Sequence, residues 1–168
     1  MSDNFLLSVV IPSYNEMGNL QKGILNKVKN YLDKQAYDYE VIVVDDGSND
    51  GSREFVKKFV DEEEEFHLIE NSHSGKAGAV TTGMLLAKGD YILFTDMDQA
   101  TPIEEMEKLL PYFKEGYNIV IGSRNKRKNS PLTRRVMSKA VIVLRSLIVG
   151  LPDIKDTQCG FKMFTKKA

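Results

Sequence analysis

Residues 6–48 read LLSVVIPSYNEMGNLQKGILNKVKNYLDKQAYDYEVIVVDDGS, and the order of patterns within them decides the architecture. LLSVVI (6–11) and EVIVV (40–44) are short apolar runs rich in Val and Ile and bounded by turn residues. Strands covered on both faces read this way. Between them Leu20, Ile24, Val28 and Leu32 recur at helical spacing, so the stretch is strand, helix, strand. Parallel strands need such a crossover, and this unit predicts a parallel sheet.

The pattern continues outward. Phe55, Val56, Phe59 and Val60 predict a second helix, residues 66–69 a short strand, residues 75–88 a helix, and YILFT (91–95) a strand. Thr101, Pro102 and Glu104 stand in capping-box order before Ile103, Met106, Leu110 and Phe113, which predicts one helix ending near Gly116. NIVIG (118–122) reads as the next strand, and residues 160–165 are strand-like. The expected fold is α/β: a Rossmann-like, mostly parallel open sheet flanked by helices, with residues 1–168 as one domain.

Composition fits that expectation. The chain has 168 residues, 42% hydrophobic and 28% charged, and a chain of this length buries roughly 70% of its unfolded surface. A single Cys, Cys159, forms no internal disulfide and fits a reducing compartment. No apolar run reaches the roughly 18 residues of a membrane span, and MSDNFLLSVV lacks the basic flank and cleavage site of a signal peptide. A cytoplasmic protein, soluble or peripheral at the cytoplasmic face of a membrane, is expected. The net charge of −1 hides an asymmetry: residues 1–84 carry −7 and the remainder +6. Eight Lys or Arg residues and no acid lie between Arg124 and Arg145, a positive field suited to phosphates or anionic lipid, or a solubilising face.

Open parallel sheets bind ligands at the carboxyl ends of their strands. Three predicted strand ends turn abruptly polar there: Pro12, Ser13, Tyr14, Asn15 and Glu16 after the first, Asp45 and Asp46 after the second, Asp96 and Asp98 after YILFT. Carboxylates gathered at one edge repel unless a cation or donors lie between them. Oxygen ligands without His or Cys suit Mg²⁺ or Mn²⁺ with open positions for phosphate oxygens. An Asp-x-Asp pair alone also caps ordinary loops. Gly75, Lys76, Ala77 and Gly78 open a helix whose N-terminal amides, with Lys76, form a phosphate cradle or an ordinary glycine-rich helix start. Tyr14 can stack a base or pack. His67 and His73 lack partners at zinc-ligand spacing, and Cys159 reads as a packed small hydrophobe.

VVIPSYNE (9–16), VIVVDDGSNDGS (41–52), SGKAGAVTTGMLLAKGDYILFTDMDQATP (74–102), IVIGSRN (119–125) and DTQCGFKMFTKKA (156–168) occur in one order and spacing. Together they resemble the family 2 glycosyltransferases of GT-A fold, among them the polyprenyl-phosphate glycosyltransferases of the dolichyl-phosphate glucosyltransferase-like branch. The resemblance implies that Pro12, Tyr14 and Glu16 hold the nucleoside, that Asp46 accepts from the uracil N–H, and that Lys76 lies beside the nucleotide. It implies that Asp96 and Asp98 position sugar-nucleotide and metal, and that Arg124 binds phosphate. Asp96, Asp98 and Arg124 are then the expected catalytic residues, and UDP-glucose is the donor favoured by DTQCGFK. Two departures stand out: Ala100 lies where relatives carry a Gln metal ligand, with Gln99 adjoining, and Thr81 lies where they carry Arg or Lys. The chain also ends at Ala168, where relatives continue with acceptor-side structure, and is expected to be a catalytic core truncated on that side.

The implied reaction is inverting transfer of a hexose from a nucleotide sugar to a lipid-linked phosphate, supported by a divalent cation. An anionic acceptor oxygen needs no strong general base. Val136, Met137, Ala140, Val141, Leu144, Leu147 and Ile148 form an apolar face interrupted by Lys139 and Arg145. Residues 134–151 therefore read as a helix on anionic membrane or one docked on the sheet. Nucleic acid is not expected, because stacking aromatics are not interleaved with the basic tract. Two alternatives compete. A haloacid-dehalogenase-type phosphohydrolase also places Asp-x-Asp after a strand, but leaves PSYNE and DDGS unexplained. The other is a non-catalytic sugar-nucleotide binding module.

Overall fold

The computed structural model describes residues 5–123 and 159–168. Arg124, the basic tract and the 134–151 segment lie outside these residues. Contacts divide the chain into one unit of Met1–Val120 with Gly160–Ala168 and another of Ile121–Cys159; the strands between Leu6 and Thr95 and the strand Phe161–Thr165 belong to the first.

Alternation of strand and helix is confirmed. The order is β1 (Leu6–Ser13), α1 (Met17–Leu20), α2 (Ile24–Leu32), β2 (Asp38–Asp45), α3 (Ser52–Val60), β3 (Phe66–Glu70), α4 (Gly75–Leu86), β4 (Tyr91–Thr95), a 3-10 helix (Ile103–Lys108), α5 (Leu110–Lys114), β5 (Ile119–Ile121) and β6 (Phe161–Thr165). The strands form one sheet in the order β3-β2-β1-β4-β6-β5. β1 pairs parallel with β2 and β4, and β2 parallel with β3. β6 runs antiparallel to β4. After β1 the chain moves to one side for β2 and β3, then crosses to the other side for β4. The loops leaving β1 and β4 therefore diverge and open a crevice at the carboxyl edge.

Leu7, Val9, Val10 and Ile11 of β1 and Val41, Val43 and Val44 of β2 are fully buried. Consecutive residues point to opposite faces, so both faces of the sheet are covered, as the predominantly apolar runs require. α4 lies backbone-close on these strands at Gly83, where an added Cβ would fall 2.4 Å from Val10 Cγ1 and 3.0 Å from Val44 Cγ2. At the opposite end, Glu40 of β2 is buried and its Oε1 accepts from Ser8 Oγ and the Lys88 amide. The Gly89 amide donates to the same Ser8 hydroxyl. This polar network fixes the turn between α4 and β4, and with it the starting point of the strand that ends in Asp96.

Three local expectations change. The Leu20 to Leu32 periodicity is shared by two helices, because Gly23 takes φ +72 and breaks the spiral between them. The helix expected after Pro102 is a 3-10 segment followed by α5, and Pro102 stands at the N-cap position expected for Thr101. Pro111 lacks the N–H that a continuous α-helix would direct at Glu107, so the two pieces separate at Leu109. The helix expected over 75–88 ends at Leu86, and Ala87 is already extended.

Candidate active site at the carboxyl edge of the sheet

The loop after β1 is braced by the loop after β2. Asn15 adopts φ +54; its amide donates to Ser48 Oγ at 2.9 Å, and its side-chain oxygen accepts from the Asn49 amide at 2.9 Å. The Glu16 amide donates to Ser52 Oγ and the Met17 amide to Asp50 Oδ2. Asp50 also accepts from the Ser52 hydroxyl and the Ser52 amide at the start of α3. Burial alone raises the Asp50 carboxyl, but these donors outweigh it and hold it below the ordinary carboxylate range. Ser, Asn and Asp bond readily to nearby backbone, and the DGSNDGS tract (46–52) uses that property to hold Tyr14 and Glu16 in place.

Adjacent aspartates at the end of β2 have separate tasks. Asp45 is 1% exposed and receives Arg53 Nε at 2.9 Å on Oδ2, together with the Gly47 and Ser48 amides. It belongs to the scaffold. Asp46 is 2% exposed and meets the start of α4. Its Oδ1 accepts from the Ser74 amide (2.8 Å) and hydroxyl (3.0 Å), and its Oδ2 from the Gly75 amide (2.8 Å). His73 Nδ1 lies 3.0 Å from Oδ2 and 2.9 Å from the Asp46 carbonyl oxygen. Burial raises the Asp46 carboxyl, and the Ser74 and Gly75 bonds with the His73 ring more than reverse this, so it titrates below the usual range.

That arrangement alters two sequence expectations. Of the amides at the start of α4, that of Gly75, with that of the N-cap Ser74, already donates to a carboxylate and is not vacant for phosphate. A carboxylate offers about four lone-pair directions; three hydrogen bonds fill all but one on Asp46, and the His73 ring lies against Oδ2. Acceptance of a uracil N–H there requires displacement of the His73 ring or exchange of one of these donors.

Pro12, Ser13, Tyr14, Glu16, Asp46, His73, Gly75, Lys76, Ala79, Asp96, Met97 and Asp98 line one cleft. Each expected site residue within the described part of the chain is therefore brought together: Pro12, Tyr14 and Glu16 from the first loop, Asp46 from the second, Lys76 from α4, Asp96 and Asp98 from the end of β4. Lys76 Nζ lies 2.7 Å from Asp96 Oδ1, off the direction of a hydrogen bond, so the contact is a charge pair. Lys76 also sits 5.8 Å from the centre of the Phe94 ring. Asp98 Oδ1 accepts the Ala100 amide at 2.9 Å. Gln99 takes φ +47 and turns its side chain back to Thr95 Oγ1 and the Asp96 carbonyl. It locks the loop and does not replace the Gln missing at position 100.

His73, read from sequence only as a poor zinc ligand, lines the cleft, and its ring lies 4.5 Å from that of Tyr14, tilted by 33°. Among the described residues no group of three or more His, Cys, Asp and Glu could hold a metal ion by itself. The donor set is oxygen only, from Asp96 and Asp98, and Asp96 Oδ1 is buried without a hydrogen bond. Two carboxylates suit Mg²⁺ or Mn²⁺ when phosphate oxygens complete the shell. Among the described residues no helix is long and apolar enough to cross a membrane.

The family model described as "Glycosyl transferase family 2" matches residues 8–168. The dolichyl-phosphate beta-glucosyltransferase of Saccharomyces cerevisiae is 33% identical over 188 residues, covering 99% of this chain and 56% of its own. The human protein of that name is 34% identical over 182 residues, covering 96% and 55%. The chain thus spans about half the length of the curated relatives it matches. Glucosyl-3-phosphoglycerate synthase from Mycobacterium tuberculosis, solved with Mn²⁺, UDP-glucose and phosphoglyceric acid, superposes with a TM-score of 0.71 at 19% identity, over 97% of this chain and 57% of that one. The mannosyltransferase PcManGT from Pyrobaculum calidifontis, in complex with GDP-Man and Mn²⁺, gives 0.65 at 19% identity, over 98% and 45%. At such identity these two speak for the fold, which is the expected GT-A type.

Proposed function

The chain belongs to glycosyl transferase family 2, and on that premise we propose that it moves glucose from UDP-glucose to a lipid-linked polyprenyl or dolichyl phosphate, with inversion at the anomeric carbon. The observation that carries this reading is the convergence of Tyr14, Lys76, Asp96 and Asp98 on one cleft at the divergence of β1 and β4. The names of the curated relatives supply the acceptor class and the sugar. A haloacid-dehalogenase-type phosphohydrolase is set aside, because the family match takes in the PSYNE and DDGS loops that it leaves without a task.

Tyr14, half-exposed on the cleft wall, offers its ring to the base. Asp46 reaches an imide N–H by exchanging the Gly75 amide for it. Lys76, already paired with a carboxylate, swings between Asp96 and the incoming diphosphate, on which charge builds as the glycosidic bond stretches. Asp96 and Asp98 would hold a divalent cation, Mg²⁺ or Mn²⁺, which when bound offsets leaving-group charge. An acceptor phosphate oxygen forms the new bond to the anomeric carbon as the bond to UDP breaks, and its electron pair leaves on the diphosphate. Both oxygens are anionic, so no proton transfer is needed. Arg124, with Lys126, Arg127 and Arg134, is assigned to phosphate, and residues 134–151 to anionic lipid at a cytoplasmic membrane face.

Incubation with labelled UDP-glucose, Mn²⁺ and a polyprenyl phosphate tests the reading. Label in the lipid phase and UDP in the aqueous phase are expected. If calorimetry shows no UDP binding with Mn²⁺ present, donor and cation assignments both fail.

A further inference from the structure

The glycine of the DTQCGFK tract lies directly opposite the first aspartate of the Asp-x-Asp pair. Thr95 pairs with Phe161 in the antiparallel register of β4 and β6, so one step further Asp96 faces Gly160. Directly opposed residues in such a ladder present their side chains on one face. A Cβ on Gly160 would fall 1.9 Å from Asp96 Oδ2 and 2.4 Å from its Cγ. The carboxylate therefore occupies the volume that any other residue's side chain would take. The backbone beneath has little room to retreat, because Phe161 is 1% exposed and Met163 fully buried. The carboxylate end is the part that can move, since the Asp96 side chain keeps 30% of its surface in the cleft.

We propose that Gly160 is a positioning residue for the donor site: by leaving its side-chain volume vacant it seats the Asp96 carboxylate against Lys76 and into the cleft. This rests on the functional reading above, in which Asp96 serves the diphosphate and its cation. A methyl group at position 160 rotates the carboxylate away from the β6 backbone and breaks the 2.7 Å pair with Lys76. The cost falls on the cleft and spares the hydrophobic core, which separates this role from ordinary packing.

The test is a cycle of Gly160→Ala, Asp96→Ala and the double variant, read by UDP affinity with Mn²⁺ and with chelator, and by thermal unfolding. Loss of a charge-assisted contact predicts at least about a tenfold weaker UDP affinity in Mn²⁺ for Gly160→Ala, with little change under chelator. The double variant should bind no worse than Asp96→Ala, because residues acting through one another are non-additive. Should Gly160→Ala unfold readily, Asp96→Ala should restore its stability by removing the obstructing carboxylate. Unchanged Mn²⁺-supported affinity in Gly160→Ala, losses that multiply in the double variant, or instability that Asp96→Ala does not relieve each overturn the proposal. A wild-type chain that binds UDP without regard to Mn²⁺ overturns the donor-site reading as well.

Discussion

Replacing Asp46 with Ala removes the acceptor for the Ser74 amide, the Ser74 hydroxyl and the Gly75 amide in one step. Loss of a helix-capping side chain costs about 0.5–2 kcal/mol, and hydrogen bonds to a charged acceptor contribute about 1.5–3 kcal/mol. The start of α4 is open to water on one side, with Ser74 exposed and Gly75 partly so, and water recovers part of what the amides lose. A net loss of about 2 kcal/mol follows, or about 4–8 °C in Tm for a chain of this size. The pH dependence has a fixed sign. The folded carboxyl titrates below its ordinary value, so its contribution is complete above the unfolded value near ~3.9 and is lost as pH falls through the folded one. Thermal melts of wild type and Asp46→Ala should therefore differ at every pH above about 5 and converge as pH falls below about 4. An interval that survives undiminished at pH 3, or is absent at pH 7, refutes the anchoring role.

Asp98→Asn should lower Mn²⁺-supported UDP affinity while leaving Tm unchanged, since Asp98 makes a turn contact with Ala100 and is not in the core; calorimetry with and without chelator reads this, and equal sensitivity to chelator in both proteins sinks the cation assignment. Tyr14→Ala should weaken UDP by the roughly 1–3 kcal/mol of one base stack, with diphosphate alone unaffected; equal losses for both ligands would place Tyr14 elsewhere than at the base. Gly89→Ala should destabilise strongly with no specific effect on UDP, because its Cβ meets the Ser8 amide nitrogen at 2.6 Å and the Leu6 carbonyl oxygen at 2.8 Å; chemical denaturation checks it, and a wild-type midpoint contradicts the close approach.

The sheet was legible where burial is two-sided. Apart from Ser8 and Glu40, which bond to one another, the runs at 6–11 and 40–44 are apolar on both faces of the pleat, a pattern that a surface strand does not produce. The break at Gly23 was not legible, because the apolar spacing passes through it and a positive φ leaves no mark on periodicity. The direction of β6 was hidden for another reason: Phe161 and Met163 are buried and alternate with Lys162, which identifies a strand and says nothing of its partner. Site residues after β1, β2 and β4 were legible because an apolar run ends abruptly there in polar residues, and Lys76 because it stands in a glycine-rich helix start. The braces Asn15, Ser48, Asp50 and Ser52 were missed individually, although the density of Ser, Asn and Asp in 46–52 is the composition of a loop held by side-chain-to-backbone bonds. His73 carries no signal in the sequence beyond its lack of zinc-ligand partners, because its contacts are with an aromatic ring and with the carbonyl and carboxylate oxygens of Asp46, all distant in sequence.

The aspartates at the carboxyl edge are best understood by what offsets each charge. Asp45 has the Arg53 guanidinium, and Asp46 has the N-terminal end of α4 with its Ser74 and Gly75 donors. Asp45 is consumed within the scaffold, and Asp46 is neutralised there until, on the proposed reading, it exchanges a donor for the base. Asp96 has Lys76, at 60% exposure a cation able to leave, and Asp98 has the backbone amide of Ala100. A diphosphate entering this cleft on the proposed reading brings more negative charge than Lys76 alone can offset, and it draws Lys76 away from Asp96 as it does so. The ensemble is then acid, acid and diphosphate in one partly desolvated space, which is unfavourable unless a hard cation enters with the donor. On that reading donor and cation stabilise one another's binding: UDP should raise Mn²⁺ affinity by the same factor by which Mn²⁺ raises that of UDP, as linkage requires.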